Sequence, residues 1–259
     1  MYARILQQII SEKRLEIAEL NRSLPIAILE ERIANRDAPR DFLRSVSQER
    51  MQLIAEVKKA SPSKGVLCPD LDPVVLGKSY AESGAAAISV LTEVNHFQGS
   101  LEYMSVIKDK VDIPLLRKDF IFDEYQIYES AAFGADALLL IAAILSQEQL
   151  SRLLQLSHRL GLDCLVEVHD ETELEQAIQS QTKIIGINNR DLNTFEVDTN
   201  TTGRLVPLVP VGTSVISESG IKSREDIVTM MEYGVNAVLI GEALVTAESV
   251  PDKIKELMG

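Results

Sequence analysis

A repeat of short apolar runs is the feature of this sequence that most constrains its fold. From Leu53 onward the runs recur roughly every 20 to 35 residues, and the stretches between them have the apolar spacing of helices. Several of these stretches end in glycine, a common helix stop. The runs are LIAEV (53–57), AISVL (87–91), PLLRK (114–118), ALLLI (137–141), CLVEV (164–168), IIGIN (184–188), SVISE (214–218) and AVLIG (237–241).

This repeat predicts an α/β fold, a closed (β/α)8 TIM barrel, because that fold has eight parallel strands that are each followed by a helix. An open doubly wound sheet is the alternative, but the eight units are even and lack a GxGxxG turn. A chain of 259 residues suits one large barrel or two small domains. Because the sequence contains no linker or low-complexity segment, we predict one domain over residues 1–259.

An apolar periodicity also precedes the repeat. Ile5, Leu6 and Ile9 belong to a helical pattern that predicts an amphipathic helix over about the first twenty residues. A second helical stretch follows Pro25 and is broken further on by an Ala-Pro-Arg sequence. We therefore predict that residues 1–47 form an N-terminal helical extension, whose apolar face packs near the mouth of the barrel.

The charge of the chain limits its partners. Its net charge of −13 and pI of about 4.8 predict no binding to nucleic acid or to acidic membranes. No apolar run approaches the ~20 residues that span a membrane, and the charged N-terminal helix is unlike a signal peptide. The two cysteines lie far apart, and the three histidines form no metal-ligand pattern. These features predict a cytoplasmic, metal-free protein in which a local cluster of cations binds any anion.

Charged residues stand at the ends of alternate runs. They are, for runs one, three, five and seven, Lys58, Lys118, Glu167 and Glu218. Odd-numbered strands share layers in such barrels, so we expect these side chains in one layer at the carboxyl-end mouth, where barrel enzymes have their active sites. Glu56 and Asn188 share the inward parity. Any one of them could be a solvated strand end, but the alternation favours an acid/base site.

Small residues after the last two runs predict a phosphate site, because they let backbone N–H groups approach an anion. They are Ser219 and Gly220 after run seven, with Gly241 and Glu242 after run eight. The loop from Ser61 to Gly65 is either a flap over the mouth or an ordinary surface loop. Phe97 and Phe120 either line a pocket for an aromatic ring or cover the barrel rim.

Three further residues in or just after these runs have simpler interpretations. For His169, capping of the next helix beside Asp170 is favoured over a catalytic role. Cys164 is interpreted as a small core residue. Arg117 has the opposite parity to Lys118, so we expect it outside the barrel wall, salt-bridged or solvated.

The segments that contain these residues resemble the indole-3-glycerol-phosphate synthase family from the first strand to the last. The matching segments are IAEVKKASPSKG, LTE followed by HFQGS, LRKDFI, ALLLIAAIL, LVEVHDETEL, IGINNRDL, ISESGI and VLIGEAL. The N-terminal helical extension also resembles that family. The resemblance is to its monofunctional form, because no second barrel follows in this sequence.

The resemblance implies the substrate 1-(2-carboxyphenylamino)-1-deoxyribulose 5-phosphate, which the family converts to indole-3-glycerol phosphate by ring closure, decarboxylation and dehydration. It implies a carbon–carbon lyase of tryptophan biosynthesis that needs no metal and no organic cofactor. By motif position, Lys118 is the general acid, Lys58 contacts the acidic groups of the substrate, and Glu167 is the general base. The polar set is completed by Glu56, Asn188 and Glu218.

The same resemblance assigns the phosphate site and its surroundings. The matching phosphate-binding positions are Ser61, Ser219, Gly220, Gly241 and Glu242, the last two through their backbone. Arg190 matches a residue near the site. The family often has serine where Glu242 stands, a change that a backbone contact tolerates and a hydroxyl contact does not.

Other functions compete with this interpretation. The nearest are another phosphate-binding barrel, such as phosphoribosylanthranilate isomerase or a Schiff-base aldolase, for which a strand-end lysine is also suitable. A non-catalytic phosphosugar-binding protein or scaffold would need no acid/base layer. Which lysine protonates which oxygen is left open by the sequence. We expect a phosphorylated small molecule as the partner, and a monomer or weak homo-oligomer.

Overall fold

The computed structural model describes residues 3–192 and 194–259. Eight parallel strands form a closed barrel, in which each strand pairs with its neighbour along the chain and the last pairs with the first. The strands are β1 (Gln52–Val57), β2 (Ala87–Leu91), β3 (Leu115–Lys118), β4 (Ala137–Ile141), β5 (Asp163–Val168), β6 (Ile184–Asn188), β7 (Ser214–Glu218) and β8 (Ala237–Ile240). The predicted (β/α)8 barrel is therefore confirmed.

Helices follow the strands and cover the outside of the barrel. They are α4 (Pro73–Glu82), α5 (Leu101–Lys108), α6 (Glu124–Ala132), α7 (Gln147–Arg159), α8 (Glu171–Gln179), α9 (Asn200–Leu205), α10 (Arg224–Tyr233), α11 (Glu242–Val245) and α12 (Val250–Met258). Capping boxes at Asp123, Ser146 and Ser223 satisfy free N–H groups where α6, α7 and α10 begin. No helix within the described residues is long and apolar enough to cross a membrane.

Three helices precede β1. They are α1 (Ala3–Ser23), α2 (Ile26–Ala34) and α3 (Phe42–Val46). The first two match the predicted helical stretches. Leu29 of α2 is fully buried in a cluster with Ile17 of α1 and Tyr125 of α6, which fastens the extension to the barrel wall. That residues 1–47 and the barrel form one domain stays a prediction, which this packing supports.

The third helix, which the sequence did not indicate, closes the amino-terminal end of the barrel. Phe42 and Val46 are fully buried and pack in one cluster with inward-facing strand residues such as Ile54, Leu116 and Ile216. Burying a phenylalanine side chain contributes about 1.5–3 kcal/mol. The extension therefore has structural contacts at the end of the barrel opposite to the site described below.

Candidate active site

A cavity of about 300 Å³ lies at the carboxyl ends of the strands. All fourteen residues that the sequence singled out as site residues line it. They are Glu56, Lys58, Ser61, Phe97, Lys118, Phe120, Glu167, Asn188, Arg190, Glu218, Ser219, Gly220, Gly241 and Glu242. The structure thus brings the predicted residues together, while their individual roles stay predictions.

Three charged side chains from β3, β5 and β7 meet at the centre of this cavity. The Lys118 ammonium lies 3.0 Å from Glu167 Oε2 and 3.2 Å from Glu218 Oε2. Both carboxylates are almost fully buried, and the lysine side chain is 15% exposed. Three of the four side chains that parity places in one layer therefore meet, while the fourth, Lys58 after β1, is paired elsewhere.

A second ion pair stands beside the first. Lys58 Nζ is 3.3 Å from Glu56 Oε2, and the Glu56 carboxylate is buried while the lysine side chain is 21% exposed. The same ammonium lies 5.6 Å from the centroid of the Phe97 ring, within cation–π range. The more exposed lysine therefore faces an aromatic surface and is placed to meet an incoming anion.

Burial and the neighbouring charges set the proton affinities of the central group. Burial opposes the charge of Lys118, but the two carboxylates outweigh it and raise the pKa of Lys118 above its ordinary value. Burial also disfavours ionisation of Glu167, yet Lys118 and His169 lower the pKa of Glu167 below its ordinary range. For Glu218, burial together with repulsion from Glu167 outweighs Lys118 and raises its pKa to about 7. Two carboxylates that share one lysine thus differ in basicity.

His169 has a larger part in the site than capping a helix. Asp170 caps α8 by accepting from the Glu173 N–H, and the backbone N–H of His169 donates to Glu173 Oε2 over 2.9 Å, so His169 takes part in the helix start only as a neighbour of the cap. The ring, however, lies between two carboxylates, 3.3 Å from Glu167 Oε1 and 2.8 Å from Glu173 Oε2. Burial lowers the pKa of a histidine, but these carboxylates raise that of His169 to about 10. The shared parity of residues 167 and 169 is the sequence signal that could have revealed this contact.

Two aromatic rings form one wall of the cavity. The ring centroids of Phe97 and Phe120 are 6.3 Å apart with the planes tilted by 44°, a separation at which aromatic rings pack favourably. Both residues line the cavity, which favours the aromatic-pocket interpretation over simple coverage of the rim. An aromatic substrate ring therefore has an apolar surface beside the Lys58 ammonium.

The loop after β7 has a backbone that suits anion binding. Ser219 and Gly220 have φ angles of +64° and +85°, so both adopt the left-handed conformation. A Cβ atom at Gly220 would also collide with the side chains of Val197 and Thr199. Glycine is needed here for both reasons, and consecutive left-handed or turn residues can direct N–H groups towards one point.

Two other glycines face buried carboxylates at the mouth of the barrel. A Cβ atom at Gly241 would overlap the Glu56 carboxylate, and a Cβ atom at Gly186 would overlap that of Glu218. Gly241 also precedes the first residue of α11. It was expected to let the backbone approach an anion, and the structure adds that it makes room for a buried acid.

The loop after β1 is a short hairpin rather than an irregular loop. Ala60–Ser61 pairs antiparallel with Gly65–Val66. Lys64 at its tip forms an ion pair with Glu242 after β8, and both line the cavity. Within the described part of the chain, Ser61 Oγ and Glu218 Oε1 are among the buried side-chain atoms without a hydrogen-bond partner. The hairpin thus borders the site, which favours the flap interpretation.

Arg190 and Asn188 line the opposite side. Arg190 Nη1 donates to Phe195 O over 3.1 Å, and the Arg190 N–H donates to Asn188 Oδ1 over the same distance. The guanidinium therefore organises its own loop at the cavity edge. Arg117, in contrast, is buried outside the strand layer in ion pairs with Asp119 and Glu129, as the parity predicted.

A closed barrel with paired ammonium and carboxylate groups at its mouth, beside glycine-rich loops after β7 and β8, belongs to the class of barrel enzymes that perform acid/base chemistry on small anionic substrates. Residues 6–257 match a family model described as indole-3-glycerol phosphate synthase. The chain belongs to this family. Its activity is accordingly that of a carboxy-lyase in tryptophan biosynthesis.

Similar proteins agree with this assignment over nearly the whole chain. The chain is 50% identical to an indole-3-glycerol phosphate synthase of Dehalococcoides mccartyi, with 98% of this chain and all of that protein covered. It is 47% identical to one of Roseiflexus sp., with 98% of each covered, and 47% identical to one of Acetivibrio thermocellus, with 97% and 98% covered.

Solved structures of lower similarity share the fold. A 3-hexulose-6-phosphate synthase from Salmonella typhimurium has a TM-score of 0.63 at 12% identity, with 80% of this chain and 97% of that chain covered. A thiamine phosphate pyrophosphorylase from Pyrococcus furiosus has a TM-score of 0.61 at 16% identity, with 83% and 95% covered. At such identities the likeness concerns the barrel alone.

Proposed function

We propose that the layer around Lys118 carries out ring closure, decarboxylation and dehydration of 1-(2-carboxyphenylamino)-1-deoxyribulose 5-phosphate by general acid/base catalysis. The observation that supports this most directly is the position of the Lys118 ammonium, 3.0 Å from Glu167 and 3.2 Å from Glu218, inside a cavity with an aromatic wall. The substrate combines an aromatic ring, a carboxylate and a phosphate, and the cavity offers a surface suited to each.

Ring closure begins when the carboxylate-bearing ring carbon attacks the ketone carbon. The new carbon–carbon bond places negative charge on the ketone oxygen, and Lys118 donates a proton to it. Because its neighbours raise the pKa of Lys118, the amine is fully protonated at neutral pH and ready to stabilise that charge. The carboxylate then leaves as CO₂, and its bonding electron pair restores the aromatic ring.

Lys58 holds the substrate carboxylate until that step. Its ammonium is more exposed than that of Lys118 and lies above the Phe97 ring. An ion pair with Glu56 keeps it in place at the cavity wall. A cation next to an aromatic surface fits a benzoate group, which presents a flat ring and a negative charge together.

Dehydration needs one proton removed and one hydroxyl protonated. Glu167 accepts a proton from the CH₂ carbon beside the ring nitrogen, and the electron pair of that C–H bond forms the new double bond of the five-membered ring. A lysine protonates the departing hydroxyl, which leaves as water. His169 holds Glu167 from the side opposite to Lys118 and so fixes its orientation. Glu218, whose pKa is about 7, exchanges protons near neutrality and returns a proton to Lys118.

The phosphate binds at the loops after β7 and β8 in this proposal. Ser219 and Gly220 contribute left-handed backbone, Gly241 and Glu242 contribute the start of α11, and Ser61 contributes a buried hydroxyl. A phosphorylated small molecule is thus the proposed partner. A cytoplasmic location, a monomeric or weakly associated state and independence from cofactors, metals, nucleic acid and membranes stay predictions.

The rival functions fit the site less well. A Schiff-base enzyme needs a neutral amine as nucleophile, whereas the two carboxylates keep Lys118 charged. A scaffold has no use for five buried or half-buried charges in one cavity, because desolvating them costs free energy. The isomerase alternative is disfavoured by family membership.

The decisive experiment mixes the protein with the proposed substrate and follows indole fluorescence. The chain has no tryptophan, so the product signal rises over a background from tyrosine alone. Turnover with release of one CO₂ per indole formed is expected. The Lys118→Ala variant is the matched control, and a borohydride-trapped adduct in the absence of indole formation would favour the aldolase instead.

A further inference from the structure

Helix α1, which precedes the barrel in the chain, carries a buried lysine. Lys13 is only 3% exposed, and its ammonium lies 3.3 Å from Asp119 Oδ1 and 3.0 Å from Glu16 Oε2. Burying an ammonium costs several kcal/mol unless it is paired, so the position of Lys13 depends on these carboxylates. Asp119 directly follows Lys118 in the chain.

Asp119 fixes the chain on both sides of Lys118. Its Oδ2 accepts from Arg117 Nη2 over 3.0 Å and from Thr92 Oγ1 over 2.7 Å. Its Oδ1 accepts from the Phe120 N–H over 2.9 Å. A shift of the Asp119 carboxylate would therefore be transmitted to the strand end that presents the proposed acid and to the aromatic wall.

The preceding residue of α1 makes a similar contact with the neighbouring loop. Glu12 Oε2 lies 2.9 Å from His96 Nε2. His96 stands next to Phe97, and the N–H groups of both residues donate to the carboxylate of Glu93. Two successive residues of α1 thus reach the loops after β2 and β3, which present the two aromatic rings.

The same helix supplies part of the cavity lining. Ile5, Leu6 and Ile9, one to two turns before Lys13, line the cavity with their apolar side chains. We propose that Lys13 is a positioning residue that, through Asp119, holds this apolar lining over the mouth and fixes the strand end carrying Lys118 and Phe120. The proposal rests on the proposed function, because it assumes that Lys118 acts on a substrate in this cavity.

The contacts predict an effect on the site without loss of the fold. Arg117 stays paired with Asp119 when Lys13 is removed, so that carboxylate keeps a cation. Leu29 and Tyr125 keep the extension docked on α6. What is lost is the ion pair between α1 and Asp119 at the end of β3, whereas the stacking of Arg14 on Phe122 in the same loop remains. Small displacements of reacting groups reduce rates strongly.

The test compares Lys13→Met, which removes the charge and keeps the length, with Lys13→Arg and with Glu16→Gln. Glu16→Gln is the matched control, because it removes the more exposed partner and leaves the Lys13–Asp119 pair. The readouts are kcat, KM, the emission maximum of bound indole-3-glycerol phosphate, and thermal unfolding. The emission maximum reports whether the apolar lining still excludes water from the indole.

We expect Lys13→Met to unfold in one transition above the assay temperature, with kcat lowered by about tenfold to a hundredfold and a red-shifted product emission. Lys13→Arg should recover most of the rate, and Glu16→Gln should match the unmodified protein. A folded Lys13→Met protein with unchanged kcat and emission overturns the proposal. The proposal is also overturned if Glu16→Gln lowers kcat and shifts the product emission as much as Lys13→Met does.

If Lys13→Met does not fold, Lys13→Gln takes its place, because its amide can still hydrogen-bond to Asp119 without the charge. Failure of both variants to fold would mean that Lys13 serves the fold and not the site, which also overturns the proposal. The outcome is separate from the proposed function: absence of turnover and product binding in the unmodified protein contradicts that function. Normal turnover in both the unmodified protein and the Lys13→Met variant contradicts only the role of Lys13.

Discussion

A buried acid at the amino-terminal end of the barrel and the charged group inside the cavity at the other end have different kinds of partner. At the amino-terminal end, the fully buried Asp136 accepts from the backbone N–H groups of Arg40 and Leu115, and Lys108 pairs with it. At the carboxyl-terminal end, Lys118 and its two carboxylates satisfy mainly one another. Backbone partners cannot move without unfolding the chain, whereas paired side chains can exchange partners with a substrate.

This difference separates stability from chemistry along the barrel axis. The amino-terminal end is closed by apolar side chains of α3 and by charges fixed to the backbone. The carboxyl-terminal end keeps a cavity of about 300 Å³ and buried polar atoms such as Glu218 Oε1 that lack a partner within the described residues. Substitutions at the first end should therefore lower stability, and substitutions at the second should lower the rate.

The largest effect on rate is expected for Lys118→Ala. Positioned acid/base groups contribute about 10²–10⁴-fold, which corresponds to roughly 3–5 kcal/mol of activation free energy. Turnover should fall by that factor while substrate binding is retained, and Lys58→Ala should lose affinity as well. Steady-state kinetics of both variants check this. Near-normal turnover in Lys118→Ala, together with loss in Lys58→Ala, would reverse the assignment of the acid.

A comparable effect on stability is expected at the opposite end. Phe42→Ala removes a fully buried ring from the cluster inside the barrel, and such changes cost about 3–5 kcal/mol in the free energy of unfolding. Urea unfolding should show this loss. At urea concentrations well below the unfolding midpoint of Phe42→Ala, kcat and KM should equal those of the unmodified protein. A large fall in kcat under these conditions would show that the two ends of the barrel are coupled.

Glu167→Gln tests the base with the smallest change in shape. The amide keeps the size and can still hydrogen-bond, but it cannot accept a proton. We expect turnover to fall by about 10²-fold or more with little change in KM. Because the substitution also removes a buried carboxylate between Lys118 and His169, thermal unfolding is the control. A parallel rise in KM would instead assign Glu167 to substrate binding.

His169→Gln should have a pH-dependent effect on stability. The pKa of His169 is raised to about 10 in the folded protein, above its ordinary value of about 6.5. Its charged form therefore contributes stability that is fully present below pH 6.5 and is lost as the pH rises through about 10. Urea unfolding at pH 6 and at pH 9 should show a difference of about 1–3 kcal/mol between the two proteins at pH 6 and a smaller one at pH 9. An equal difference in the free energy of unfolding at pH 6 and at pH 9 would contradict a charged His169 in the folded protein.

The smallest effect is expected for Glu242→Gln. Its carboxylate pairs with Lys64 at a partly exposed position, and such pairs contribute about 0–1 kcal/mol. If Glu242 contacts the phosphate through its backbone, KM should change by no more than about threefold, which is less than 1 kcal/mol. A tenfold or larger rise in KM would show that the carboxylate, or its hold on Lys64, serves binding directly.

The barrel and its charged layer were predictable because both depend on local periodicity. Alternation within strands assigns Lys118 and Glu167 to the inside, and the alternation of strands then assigns them to one layer. Helix α3 was not predictable in this way, because a helix of five residues is too short to show a period.

The contacts of Lys13 and His169 were missed for another reason. The partner of Lys13 lies more than a hundred positions away, and no local pattern identifies it. The His169 ring was missed because helix capping explained its backbone fully. Sequence patterns locate the side chains that a strand directs inward, but they do not reveal which distant group each one meets.

The two glycines that face acids at the mouth bear on how such a site can be transferred to another protein. Gly241 leaves the space that Glu56 occupies, and Gly186 leaves the space that Glu218 occupies. Each buried carboxylate therefore depends on the glycine that faces it. A designer who grafts the glutamates alone onto a related barrel will meet a Cβ atom where each carboxylate should lie. The facing glycine must be introduced first, since a barrel with the glycine and without the acid carries only a small void.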